Sequence, residues 1–188
     1  MIKHLQIKSG QKKIVPLILT GDPDGVTYSV DLLGRGAELT LLLLLFGQNS
    51  AKMPVNINVV HHSPETKSRV LIKGVITDNS RADISGLIKI LPGAVGSDAW
   101  LSAKLLLLSE TASGQVIPNL EILENEVKAG HAASVGRINE TELFYLMSRG
   151  LSEPKAKELL IKGFFAGLLR EFPQQYVKQA EKLLAPII

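Results

Sequence analysis

Cysteine is absent from all 188 residues. That one gap excludes disulfides, thiolate-ligated zinc and cysteine nucleophiles within the chain. Charge of one sign is lacking too: 21 Lys and Arg against 18 Asp and Glu give a formal +3, too little and too dispersed for a nucleic-acid footprint. The longest leucine run, Leu41 to Phe46, falls far short of the roughly 20 apolar residues that cross a bilayer. Polar residues interrupt the apolar ones from Met1 to Lys8, so the N-terminus has no signal-peptide core. Walker, Rossmann, Gly-x-Ser-x-Gly and His-Glu-x-x-His motifs are missing, which argues against autonomous nucleotide hydrolysis. The expectation is a soluble, cytoplasmic, non-enzymatic protein with no membrane span, no nucleic-acid partner and no nucleotide of its own.

What is present is an ordinary globular composition, 45% hydrophobic and 21% charged, on a chain long enough for a core with an appendage. Period-two alternation marks half-buried strands, most clearly at Val26, Tyr28, Val30 and Leu32 and at Val55, Ile57 and Val59. Further β segments are expected at Ile14 to Leu19, Leu39 to Phe46, Val70 to Thr77, Ile84 to Ile90 and Leu101 to Leu108. Turn compositions interrupt them at Gly21-Asp22-Pro23-Asp24-Gly25, Gly34-Arg35-Gly36 and Leu91-Pro92-Gly93. With no crossover helices between them, these strands belong to a sandwich, a barrel or a β-solenoid. They share no repeated motif, so periodicity alone does not select the solenoid.

At Asn139 the pattern changes. Asn139 can cap a helix while Glu142, three residues on, can reach back in a capping-box arrangement, and Gly150 ends that helix. The sequon Asn139-Glu140-Thr141 is therefore read as a helix start. Ser152, Glu153 and Pro154 form a second N-terminal signature. Leu159, Leu160 and Phe164 share a helical face, extended by Phe165 and Leu168. After Pro173, the residues Tyr176, Val177, Ala180, Leu183 and Leu184 follow the spacing of a last amphipathic helix. The boundary between strand-rich and helical parts is expected at 1–138 and 139–188.

The most specific stretch runs from Asp98 to Gly167. It contains a leucine run ending in Ser109, Ile117-Pro118-Asn119-Leu120-Glu121-Ile122, Ala129-Gly130-His131-Ala132-Ala133-Ser134, and Glu142 to Leu151 with its Ser-Arg-Gly. In this order the segments resemble the C-terminal core of the SufB/SufD family, scaffold proteins of iron-sulfur cluster assembly. Lys73-Gly74-Val75, downstream of His61 and His62, adds to the resemblance, which is diffuse from Val26 to Gly96. It implies a mainly β fold, a right-handed parallel β-helix core followed by a small C-terminal α-helical domain. Family members are usually longer, so the chain is read as a minimal core.

The resemblance also implies a site and partners. His131 falls on the position of a SufD-type motif whose consensus reads Cys-Ser-His-Gly-Ala-Thr, and that His is implicated in cluster assembly at a subunit interface. His131 is thus the candidate metal-ligating residue, expected near such an interface and facing away from the solenoid core. On residue type alone a lone imidazole is more often a structural, hydrogen-bonded group. Ala129 occupies the motif's cysteine position, and Ala103 and Lys104 stand where SufB-type members carry a strand cysteine. A transient iron-sulfur cluster would therefore need thiolates from a partner or a small thiol. The implied partners are a Suf-type ABC ATPase (SufC-like), docked by the C-terminal helices with Phe164, Phe165 and Leu168, and a second copy or a SufB/SufD-type paralogue. His61 and His62 are adjacent in a strand and point to opposite faces, so they do not converge on one ion. Glu121, Glu124 and Glu126 read as a solvated acidic face. Two rival readings stand beside the scaffold: an interaction module that has lost cluster chemistry, which the missing cysteines favour, and a metal-dependent enzyme using His61, His62 and His131, which lacks carboxylates at ligand spacing.

Overall fold

A computed structural model describes residues 2–21 and 24–185. Strands β1 (Ile2–Ile7), β2 (Lys12–Leu19), β3 (Val26–Leu32), β4 (Glu38–Gly47), β5 (Lys52–His61), β6 (Lys67–Ile76), β7 (Arg81–Ile90), β8 (Asp98–Leu107), β9 (Ser113–Ile122) and β10 (Lys128–Arg137) come first. Helices α1 (Glu140–Ser148), α2 (Glu153–Leu169) and α3 (Gln174–Leu184) follow. Odd-numbered strands form one sheet in the order β1-β3-β5-β7-β9 and even-numbered strands the other, β10-β8-β6-β4-β2. All pairings are parallel, each between strands two apart in sequence. The chain therefore winds as a β-solenoid of about five coils, as the family resemblance implies. Of the expected turns, Asp22 and Pro23 lie outside the described residues.

Register fixes what each coil contributes. Glu38 aligns with Lys67, Asp98 and Lys128, steps of 29, 31 and 30 residues. Because parallel neighbours in register share a face, Leu41, Val70 and Leu101 form one inward row, and Val30, Val59 and Ile88 another. These residues sit in a continuous apolar lumen, each no more than 1% exposed. Strand β4 is buried on both sides: Leu41, Leu43 and Leu45 fill the lumen while Leu42, Leu44 and Phe46 face the helices. The uninterrupted run Leu41 to Phe46 is thereby explained, since a strand covered on both faces loses its polar alternation. Corners repeat in backbone conformation rather than residue type: Gly10, Gly36, Glu65 and Gly96 all adopt left-handed φ of 59–72°. Their amides donate to Arg35, Pro64, Val95 and Glu126 carbonyls of the next coil.

Helix α1 begins as expected, with the Asn139 side chain accepting from the amides of Thr141 and Glu142, though the return bond from the Glu142 side chain is not made. Gly150 (φ 95°) closes it, its amide donating to Met147. Ser152 starts α2 without a side-chain capping bond, leaving Pro154 in the first turn. The buried face of α2 is Ala156, Ile161, Phe165 and Leu168, a strip turned away from the expected Leu159, which is 49% exposed. Facing the even-numbered sheet decides this: Phe165 meets Phe46 with ring centroids 5.3 Å apart. Ala180 and Leu184 of α3 complete the same cluster with Leu42, Leu44, Phe46 and Val75. Thus α2 and α3 roof the outer face of the even-numbered sheet. Among the described residues no helix is long and apolar enough to cross a membrane.

Lys73-Gly74-Val75 has a packing explanation. The Lys73 ammonium donates to the Phe164 carbonyl and lies 5.0 Å from the centre of its ring; burial, with Lys104 nearby, lowers its pKa. Gly74 faces inward, where a Cβ would come within 2.6 Å of Leu105 Cδ2 and 3.0 Å of Leu45 Cβ. Val75 packs outward beneath the helices. Phe165→Ala, which empties the junction of helices and sheet, is expected to cost about 3–5 kcal/mol. Phe144→Ala, at a side chain 71% exposed, should change stability by no more than about 0.5 kcal/mol. Equal shifts of the two urea midpoints would show that α2 does not pack as described.

Candidate functional site

The last coil differs from those below it. β9 and β10 end their sheets, so each has one strand edge with no neighbour among the described residues. β10 is nearly all small, Lys-Ala-Gly-His-Ala-Ala-Ser-Val-Gly-Arg, and carries charge only at its two ends. His131 is in register with Leu101 and so occupies the next place in the row of Leu41, Val70 and Leu101. With no coil stacked above, the His131 side chain is exposed, and it makes no hydrogen bond or ion pair among the described residues. The expectation that His131 faces away from the core is corrected by this register. It points to the lumen side, and it is reachable only because the solenoid stops there.

Around it the lumen narrows to small residues. Ala129 and Ala133 flank His131 on the inward row, continuing Ala99 and Ala103. Gly86 faces Leu101 across the lumen, a Cβ there lying 2.4 Å from Leu101 Cδ1; the next members of those two rows are Pro118 and His131. Ala103 points inward and is fully buried, whereas Lys104 points outward. Neither of these positions nor Ala129 offers a ligand. Among the described residues no group of three or more His, Asp or Glu side chains is arranged to hold a metal ion.

The other candidates separate cleanly. His61 is fully buried, at an inward position in register with Leu32 and Ile90. Its Nδ1 lies 2.8 Å from Thr66 Oγ1 and its Nε2 2.8 Å from Ser68 Oγ. Thr66 in turn bonds Ser97. A buried polar group is tolerated when its bonds are satisfied in this way, and burial, aided by the neighbouring His62, lowers the His61 pKa to about 4. His62 points out to Asp31, its Nε2 2.7 Å from Oδ1, while His4 Nε2 lies 2.5 Å from Oδ2 of the same carboxylate. Although burial works against it, hydrogen bonds from His4 and His62 hold the Asp31 carboxyl below its ordinary range. This three-coil clasp escaped sequence reasoning, because its members are 27 and 31 residues apart, one coil each way. Glu121 pairs with Lys89, and Glu124 accepts from the amides of Gly93 and Asn125, which lower its pKa. The acidic segment is thus a set of surface ties, as its composition suggests.

Exposed apolar side chains lie at both ends of the solenoid, Ile2 and Ile14 on the first coil and Ile117, Ile122, Leu123 and Val135 on the last, with Trp100 on β8 and Phe144, Tyr145 and Met147 on α1. Phe165 and Leu168, by contrast, are buried under the roof. Open strand edges with an unpartnered imidazole at one end are thus followed directly by a helix with an exposed apolar face. Residues 5–164 match the family model described as SUF system FeS cluster assembly, SufBD core domain. The chain belongs to the SufB/SufD family. It is 35% identical over 159 residues to the iron-sulfur cluster assembly protein SufD of Bacillus subtilis, covering 83% of this chain and 36% of that protein. It is 34% identical over 181 residues to a SufBD family protein of Mycobacterium leprae, covering 92% and 46%. A SufBD family protein of Mycobacterium tuberculosis is 33% identical over 193 residues, covering 98% and 48%. The chain spans less than half the length of each of these relatives.

His61 yields a stability test that does not involve the open end. Its ordinary pKa of 6.5 is lowered to about 4 by folding, so between these values the unfolded chain binds the extra proton. Stability from the neutral ring is fully present above pH 6.5 and is lost as pH falls toward 4. Each unit is worth about 1.4 kcal/mol, giving a loss of about 3 kcal/mol across the window. Urea unfolding measured between pH 7 and 4 should show this slope in the wild type and lack it in His61→Gln. An identical slope in both proteins would sink the assignment.

Proposed function

We propose that the chain is a scaffold subunit of an iron-sulfur cluster assembly complex, cytoplasmic and without catalytic activity of its own. It pairs through the open last coil with a second copy or a family paralogue, and it binds a Suf-type ABC ATPase through its C-terminal helices. The observation that carries this reading is His131: an imidazole without internal partners, at the open end of a SufBD core. Thiolates normally hold such clusters, and this chain has none. A cluster in transit would therefore take at most one ligand here, with sulfur ligands coming from the partner. The opposite end of the solenoid supports the choice of pairing surface. There Lys3 and Lys13 occupy the inward rows, in register with Tyr28 and Leu39, and inward-pointing charge on an edge strand discourages strand addition.

For the ATPase, exposure favours α1. Phe144, Tyr145 and Met147 are 71%, 55% and 40% exposed, and a hydrophobic helix face of this kind suits a groove on a partner. Removing residues 151–188 would not test this, because it would uncover Leu42, Leu44, Phe46 and Val75. Phe144→Glu is the cleaner change. It should leave the melting temperature unaltered while weakening ATPase binding about 30-fold or more, the effect of losing one anchor residue. Full-affinity binding by this variant in calorimetry would remove α1 from the docking surface.

His131→Ala should leave folding, pairing and ATPase binding intact but lower cluster assembly on the reconstituted complex about tenfold or more, as for loss of a group governing metal affinity. Cluster absorbance and iron content per complex are the readouts. Undiminished assembly in this variant would favour the rival reading, an interaction module without cluster chemistry.

A further inference from the structure

Resting on the scaffold reading of His131, we propose that Trp100 is its positioning residue: packed across Gly130 from one strand below, the indole holds the outer side of β10 so that the imidazole one residue on is presented at a fixed place. β10 has little else to fix it. It ends its sheet, and β8 is its one hydrogen-bonded neighbour among the described residues. Around His131, the residues Ala129, Gly130, Ala132, Ala133 and Ser134 bring no large side chain. A glycine within a strand loosens it further, because glycine loses more conformational freedom on ordering than any other residue and offers nothing to pack.

Trp100 compensates for that glycine. It projects from the outer face of β8 in register with Gly130, as the next residue, Leu101, is in register with His131 on the inward side. A Cβ built at 130 would come within 2.3 Å of Cζ3 and 2.7 Å of Cε3, so the six-membered ring rests against bare backbone, in the space a side chain would fill. An aromatic ring laid over a cross-strand glycine restores the apolar contact that the glycine lacks. Two consecutive residues of β8 thus serve two consecutive residues of β10, Trp100 from outside the sheet and Leu101 in the lumen. The only tryptophan of the chain stays 44% exposed, so it adds less to global stability than the buried rows do. Its effect is concentrated on the strand it touches.

The experiment joins hydrogen exchange of the full chain, followed residue by residue by NMR, with cluster assembly on the reconstituted complex. In Trp100→Ala the protected amides between Ala129 and Ala133 should exchange about tenfold faster while those of β4 and β6 keep their rates, and the His131 ring resonances should move. Trp100→Phe, which keeps an aromatic ring over the glycine, should restore most of the protection. Assembly should fall about tenfold in Trp100→Ala and recover in Trp100→Phe. Combined with His131→Ala, Trp100→Ala should cause no further fall, because a residue acting through the imidazole has no effect once the imidazole is gone. Wild-type exchange throughout β10 in Trp100→Ala overturns the positioning role whatever the assembly result. So does an additive loss in the double variant. Wild-type assembly by His131→Ala overturns instead the reading of His131, and the exchange rates then still decide whether Trp100 holds the strand.

Discussion

Apolar rows stacked coil upon coil hold the solenoid together, and the identity of each inward residue is limited by the residues above and below it. Leu41, Val70 and Leu101 follow one another at coil spacing, and burial of each is worth about 1.5–3 kcal/mol. Where a row demands less volume, glycine supplies the space, as Gly74 does for Leu105 and Gly86 for Leu101. Where a polar group enters, it arrives with its partners: His61 is bonded at both ring nitrogens by Thr66 and Ser68. Among the described residues no buried side-chain nitrogen or oxygen is left without a hydrogen-bond partner.

A stack of this kind must stop somewhere, and the stopping place is chemically different without any change of backbone. His131 takes the position that leucine holds one coil below, and only there can an imidazole occupy an inward row without a buried partner. Small residues on either side keep the end open. The same strand then passes through Ile138 and Asn139 directly into α1, so the exposed imidazole and the exposed apolar helix belong to one continuous segment. By comparison, α2 and α3 serve the core. Their apolar residues close the outer face of β4 and β6, which would otherwise be a second exposed sheet surface.

Much of this was legible in the sequence where one face of a strand meets water. β3, β5 and β7 alternate clearly because their outer faces are open. β1 was not legible, since only Ile7 in it is buried, and β9 was obscured by Pro118 and by the exposure of an edge strand. The coil period was hidden for a different reason: it resides in left-handed corners, and glycine and glutamate both supply them. Family resemblance selected the solenoid where spacing could not. A motif marks His131, but its facing depends on register with β8 rather than on local composition. The Asp31 clasp and the seating of Trp100 on Gly130 join neighbouring coils, and nothing in linear spacing marks such pairs until the coil length is known.

The absence of cysteine and the geometry of the open end constrain each other. A lone imidazole cannot define a cluster site, and among the described residues no group of three or more His, Asp or Glu side chains is arranged to hold a metal ion. If His131 acts on iron or sulfur, the remaining ligands must come from across the unpaired edges, and a partner carrying thiolates would have to present them at that same end. Two identical chains would bring two imidazoles and no sulfur to their junction; a small thiol or a cysteine-bearing paralogue would then be required for cluster chemistry. Pairing at this end and cluster chemistry on it would therefore be separable: the unpaired strand edges bear on the first, and the composition of a facing chain on the second.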